Sequence, residues 1–286
     1  MVSAQHFPKT TKEESVIIRF SIWDQKSQQF VKGLDLDHLE IREEDKKVPI
    51  NYLSSKEETA TIGFLIDLSG SASLDRRNSK FSEIATNVNG FGFFLRSINP
   101  GNTYFVNEFS DKSETIVDLT TDITKVKKGL DGLAARKPKG NTSVYDAVSS
   151  GITKLASFAG KKILVVASDG IDNSSQISTK QLKKQLQESG VTVYLINFVA
   201  SSDELLFLPA GAALADMIKD CGGEVFFPSK GREVNDAFEL LGNHMRSQYV
   251  VGISPAEKKT ERWHKVKVIL KLGKDERSVA QTGYYH

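Results

Sequence analysis

The sequence predicts a doubly wound α/β domain with a mainly parallel sheet, inserted in a small antiparallel β-sandwich formed by both chain ends. Three observations predict it. The middle of the chain alternates apolar runs with stretches of helical periodicity. Both ends alternate apolar and polar residues with a period of two. The period changes twice, near Ala60 and near Met245.

At the start, Val16, Ile18, Phe20 and Ile22 alternate with Ile17, Arg19 and Ser21. Leu39 and Ile41, then Val48, Ile50 and Tyr52, repeat the pattern, with a turn signal at Val31-Lys32-Gly33. Successive side chains of a strand point to opposite faces, so this pattern describes half-buried antiparallel sheet.

From Ala60 the strands become apolar throughout: Ile62 to Ile66, Tyr104 to Phe109, Ile163 to Ala167 and Val191 to Val199. Strands buried on both faces belong in a parallel sheet covered by helices. The helices are expected between them. Phe81, Ile84, Val88 and Phe94 can share one face, and Val144, Ala147, Val148, Ile152 and Leu155 form a second stripe. Thr179 to Ser189, Ala210 to Asp220 and Val234 to Met245 are further helical segments. The alternation of strand and helix is the signature of an open α/β sheet.

After Met245 the period of two returns at Tyr249, Val251 and Ile253, at Val266, Val268, Leu270 and Leu272, and around Val279 before Gly283-Tyr284-Tyr285. About three strands at each end are marginal as separate cores. The economical arrangement pairs them in one sandwich, and insertion is tolerated where chain termini lie close together. The competing arrangement is a β-hairpin cap at each end. The expected division is 1–58, 59–245 and 246–286, the first and last being halves of the sandwich.

Composition narrows the function classes. Thirty-eight Lys and Arg against 36 Asp and Glu leave a net charge of +2 over 286 residues, which gives no electrostatic case for nucleic acid or a membrane surface. Lys127-Lys128 and Lys183-Lys184 read as solvated helix faces. A single cysteine, Cys221, allows no intrachain disulfide, and the five scattered histidines have no ligand spacing for zinc. No run approaches the roughly 18 apolar residues that span a bilayer, and Met1 to Lys12 has no apolar signal core. Met1 to Gln5 suits a start residue placed at the mature end of a secreted protein.

Three segments carry chemistry. Asp67-Leu68-Ser69-Gly70-Ser71 follows the first buried strand, Gly140-Asn141-Thr142-Ser143 precedes a helix, and Ser168-Asp169-Gly170 follows another buried strand. In a doubly wound sheet these strand ends meet at one crevice. Asp67, Ser69, Ser71, Thr142 and Asp169 offer only oxygen, which suits a hard cation. Mg²⁺ is the expected ion, with Mn²⁺ or Ca²⁺ as substitutes. Ser69 and Ser71 share one side of an extended loop. The two aspartates supply charge directly or through water. Two negative charges leave a dication electrophilic, and an open position would take a carboxylate from another molecule.

Asp67-x-Ser69-x-Ser71, a later Thr142 and then Asp169 resemble the metal-ion-dependent adhesion site of von Willebrand factor A domains. Gly140 to Ala147 is similar to that family's segment entering its third main helix, and Ile163 to Gly170 to its fourth strand and loop. The resemblance runs from about Ala60 to Met245. A narrower likeness, to a bacterial subgroup with flanking β segments, includes Gln248 to Ile253 and Gly283-Tyr284-Tyr285. The family resemblance implies a hairpin of Tyr104 to Phe109 with Ile116 to Leu119 that adds an antiparallel edge strand. It further implies a metal-dependent adhesion module, not an enzyme, that binds a protein ligand, and a secreted, periplasmic or cell-surface location.

The plainer readings stand beside this one. Asp67 and Asp169 taken singly could cap helices. Asp146 complements a helix dipole, and Asp172, Asn173 and Ser174, which follow Asp169, shape the rim of the site or, more simply, a turn. Phe91 to Phe94 with Gly90 and Gly92 lacks the ending of a phosphate loop and reads as core. Phe207 to Leu214, with Pro209-Ala210-Gly211, reads as a loop entering a helix. A magnesium-dependent hydrolase of the aspartate type would need a second carboxylate where Ser69 stands. A structural domain whose metal takes no ligand is the remaining alternative.

Overall fold

A computed structural model describes residues 15–70, 90–92, 94–96, 98–197, 209–228, 231–256, 262–271 and 276–285. The residues expected to open the first helix (Phe81, Ile84 and Val88), together with Ser71, Phe198, Val199 and Leu272, lie outside them. The chain divides into two compact units, one of residues up to Glu57 with those from Ser247 onward, the other Glu58–Arg246.

In the first unit, β1 (Val16–Asp24), β2 (Gln29–Phe30), β3 (Leu39–Glu43), β4 (Lys46–Lys47) and β5 (Ile50–Ser54) come from the N-terminal side. The second unit contributes β6 (Ala60–Asp67), β7 (Thr103–Phe109), β8 (Ser113–Thr120), β9 (Lys161–Ser168), β10 (Val191–Asn197) and β11 (Val225–Phe226). The first unit is completed by β12 (Tyr249–Ile253), β13 (Trp263–Leu270), β14 (Glu276–Ala280) and β15 (Gly283–Tyr285).

The end strands interleave. One sheet runs β14-β1-β12-β5 with β2 beside β1, and the other runs β15-β13-β3-β4. Thus β1 lies between two C-terminal strands, and β13 touches both β3 and β15. All these pairs are antiparallel. Ile18, Phe20, Ile22, Tyr249, Val251 and Ile253 from one sheet share a core with Leu39, Ile41, Val266 and Tyr284 from the other. One common core with strands of both ends in each sheet is a sandwich, so separate hairpin caps are excluded.

The α/β unit has a six-stranded sheet in the order β11-β10-β9-β6-β7-β8. Every pair is parallel except β7 with β8, the antiparallel edge hairpin. Each residue of β6 and of β10 is buried. Alternation sends Ile62, Phe64, Ile66, Tyr194 and Ile196 to one face and Leu65, Val193 and Leu195 to the other. That is why these strands are apolar on both faces along most of their length.

Helices cover both faces. On the first pack α1 (Ile123–Leu133), helical residues 90–92 and 94–96, and α5 (Gly231–Arg246). Phe91 and Phe94 sit there against Phe64 and Phe238, so the aromatics beside Gly90 and Gly92 are core. On the second pack α2 (Val144–Leu155), α3 (Thr179–Ser189) and α4 (Pro209–Asp220). Of the segment read as a loop entering a helix, Pro209 onward lies in α4, and residues 207 and 208 lie outside the described residues. In α2 the buried set Val144, Ala147, Val148, Gly151, Ile152 and Leu155 follows the helical spacing read from the sequence. Gly151 allows the close approach, since a Cβ there would lie 2.9 Å from Leu164 Cδ2 and the leucine would have to shift. Among the described residues, no helix is long and apolar enough to cross a membrane.

Candidate metal centre

The strand order reverses between β6 and β9. From β6 the chain continues to β7 and β8 on one side, and β9 leads to β10 and β11 on the other. The crevice at the carboxyl ends of such neighbours is the usual binding position of an open α/β sheet. Asp67 closes β6, and Ser168 closes β9 immediately before Asp169. Both aspartates are buried, as are Ser69 and Thr142.

Loops knit the crevice together. Leu68 N donates to Phe109 O at 2.8 Å, Lys139 N to Leu68 O at 2.8 Å, and Gly70 N to Gly140 O at 2.9 Å. Gly140 has a φ of +79°, a conformation that disfavours any side chain, and a Cβ there would collide with the Asp111 carboxylate. This turn delivers Thr142 to the crevice. The Thr142 hydroxyl donates to Ser69 Oγ at 2.8 Å, across 73 residues of sequence.

Asp67 is held from two sides. Its Oδ1 accepts from Ser69 N at 2.8 Å, and its Oδ2 accepts from the Ser168 hydroxyl at 2.6 Å. Burial pushes its carboxyl up to about 6; the negative charge of Asp169 acts in the same direction, and hydrogen bonds from Ser168 and Ser69 oppose the rise. Asp169 Oδ1 accepts from Ile171 N at 3.0 Å, and its carbonyl accepts from Asn197 Nδ2 at 2.7 Å. Among the described residues, neither aspartate caps a helix.

Four of the five residues selected from the sequence therefore meet at one strand-end crevice, and Ser71 lies outside the described residues. The donor set fits a hard cation. It is all oxygen, combines two buried carboxylates with two hydroxyls, and the charge of Asp169 acts on Asp67 as a like charge. Among the described residues, no group of three or more His, Cys, Asp or Glu side chains is placed to hold a metal ion.

Sequence reasoning passed over Ser168 and Asn197. Ser168 stood in the Ser168-Asp169-Gly170 segment, but its role follows from the β6–β9 register, which places Ile66 opposite Ala167, so that Asp67 and Ser168 come next on the same face. Asn197 is the polar residue that ends an otherwise nearly all-apolar strand and pairs with Ser168. Two readings need correction. The Asp146 carboxylate does more than complement a dipole, since it accepts from Gln176 N at 2.9 Å and Ile177 N at 3.0 Å. Of the turn and rim readings of Asp172 and Asn173, the rim fits better, since they bond to the start of α2, at Tyr145 N and Thr142 N.

Comparison with known proteins agrees with this architecture. The model of the von Willebrand factor type A domain matches residues 61–226. No curated protein matches the sequence. Among solved structures, a D319A mutant of the PilB minor pilin from Streptococcus sanguinis is similar at 12% identity and a TM-score of 0.54, over 82% of this chain and 88% of that one. A von Willebrand factor type A protein from Catenulispora acidiphila is similar at 11% identity and a TM-score of 0.53, over 95% and 75%. An aerotolerance-related membrane protein from Bacteroides fragilis, carrying multiple mutations to serine, gives 15% and 0.50, over 66% and 98%. At such identities the structures speak for the fold alone. The family match covers more than half of the chain, and the doubly wound sheet beneath it has the expected antiparallel edge, so the chain belongs to the von Willebrand factor type A domain family, whose members are mostly interaction or adhesion modules.

Proposed function

We propose that this protein is a metal-dependent adhesion module. In this reading Asp67, Ser69, Ser71, Thr142 and Asp169 hold one Mg²⁺, directly or through water, and Mn²⁺ or Ca²⁺ can replace it. The bound cation supplies a Lewis-acidic position that takes a carboxylate oxygen from a partner protein. The chain's own residues do the rest. Ser69 and Thr142 present hydroxyls, Asp67 and Asp169 supply charge, and Ser168 and Asn197 orient the two aspartates. The β-sandwich orients the module or links it to other molecules. The similar pilin favours a secreted or cell-surface setting.

The observation that carries the reading is the Thr142–Ser69 contact at 2.8 Å beside the desolvated Asp67. Hydrolysis has less support, because Ser69 stands where an aspartate-based phosphatase needs its second carboxylate. The test is thermal unfolding with Mg²⁺ or Mn²⁺ against EDTA. A ligand selective for the native state at 100 times its Kd adds about 2.7 kcal/mol, so metal should raise the melting temperature, and Asp67→Ala should abolish the rise. Identical curves in metal and in EDTA would refute the metal. A partner captured equally well in EDTA would refute the adhesion mechanism.

A further inference from the structure

We propose that Asn173 is a positioning residue of the metal centre, which fixes Thr142 and ties the two ligand-bearing loops into one unit. The inference rests on the metal reading above.

The start of α2 is held by the loop that follows β9. Its N-cap residue, Ser143, makes no capping bond to its own helix. The first-turn N–H groups, which need partners at any helix start, find them some thirty residues downstream. Tyr145 N donates to Asp172 Oδ2 at 2.9 Å, and Asp146 N donates to Ser175 Oγ at 3.0 Å. The bonding is reciprocal, because the Asp146 carboxylate accepts from Gln176 N and Ile177 N.

Asn173 occupies the centre of this lacing. Its Oδ1 accepts from Thr142 N at 2.8 Å, while its own N donates to Thr142 O at 3.0 Å. Ser174 N adds a second donor to the same carbonyl at 3.1 Å. Both backbone polar groups of Thr142 are thus gripped by one residue, and the Thr142 hydroxyl reaches Ser69 Oγ. An asparagine acting only in a turn would bond its own backbone two residues on. Here the acceptor serves a residue 31 positions away.

Asn173 lies four residues after Asp169, in the loop anchored by Ile171 N on Asp169 Oδ1. Its grip therefore couples the position of Thr142 to that of Asp169. Outer partners of this kind commonly matter about 10- to 100-fold in metal affinity, because ligands held loosely pay for their ordering on binding. Asn173 is exposed, so its replacement removes little packing.

The experiment is titration of the full chain with Mn²⁺, followed by electron paramagnetic resonance of free Mn²⁺, with metal-free melting measured in parallel. Asn173→Ala should weaken Mn²⁺ binding about 10- to 100-fold with little change in metal-free melting. Asn173→Asp keeps an oxygen acceptor in place and should restore most of the affinity. In a Thr142→Ala background, Asn173→Ala should have almost no further effect, as expected if it acts through Thr142. Should the alanine variant fail to fold, Asn173→Leu keeps the size of the side chain without any acceptor and carries the same comparison. Unchanged Mn²⁺ affinity in Asn173→Ala, or a full-sized effect in the Thr142→Ala background, would overturn the positioning role alone. Wild-type protein that takes up no Mn²⁺ would overturn the metal reading and this inference together.

Discussion

The hydroxyl of Thr142 meets Ser69 Oγ at 2.8 Å, which joins the loop after β6 to the start of α2 at the reversal point of the sheet. Both groups are fully buried. Thr142→Val keeps the shape of the side chain and removes the donor. The loss of one buried hydrogen bond should lower metal-free stability by about 1 kcal/mol, read from urea unfolding. The larger effect should be on the metal-induced stabilisation, which should shrink markedly while binding stays measurable at higher metal concentration. A variant that keeps the full metal-induced rise would remove Thr142 from the ligand set.

Cys221 is buried, with its thiol donating to Ile218 O at 3.1 Å and accepting from Val193 N at 3.3 Å. Burial pushes it from its ordinary 9.0 up to about 11. The folded state thus keeps its proton at a pH where the unfolded state releases it. Stability should fall as pH rises from 9 toward 11, by about 1.4 kcal/mol per pH unit at most. Cys221→Ala should show a shallower loss over that window in parallel denaturation series. The native thiol should also resist an aromatic disulfide reagent at pH 8 and react on unfolding. Equal slopes in the two proteins, or fast labelling of folded protein, would contradict the assignment.

In the β-sandwich, His264 Nδ1 lies 2.7 Å from Glu43 Oε1, with both side chains almost completely buried. Glu43 Oε2 also accepts from Ala256 N at 2.8 Å, and the imidazole stacks on Tyr284. Glu43→Ala removes the acceptor of Ala256 N and the partner of His264 Nδ1 at once, and a buried group that loses its partner costs about 1–3 kcal/mol. The loss should fall on the sandwich, with chemical denaturation showing an earlier transition for that unit and α/β unfolding nearly unchanged. Glu43→Gln, which keeps acceptor capacity, should be milder. A Glu43→Ala protein as stable as wild type would show that the pair contributes nothing.

The sequence by itself determined the layers. Continuous apolar runs from Ala60 to Asn197 demanded a sheet covered on both faces, and period-two alternation at both ends demanded half-buried antiparallel strands, because side-chain direction follows from backbone period. It also determined the chemistry on offer, an oxygen-only set at strand ends. Short elements escaped it. β11 has two residues, too few to show a period.

Only the tertiary structure decided what meets what. Hairpin caps and a single sandwich have the same alternation, and the difference lies in β1 pairing with β12 and β14 from the other end of the chain. The roles of Asp146, Asp172 and Asn173 were likewise hidden. A carboxylate or amide near a helix start suits a cap, a dipole or a turn equally well in sequence. Its partner was settled only when the loop after β9 folded back on α2, some thirty residues away, and local composition carries no record of contacts made at that range.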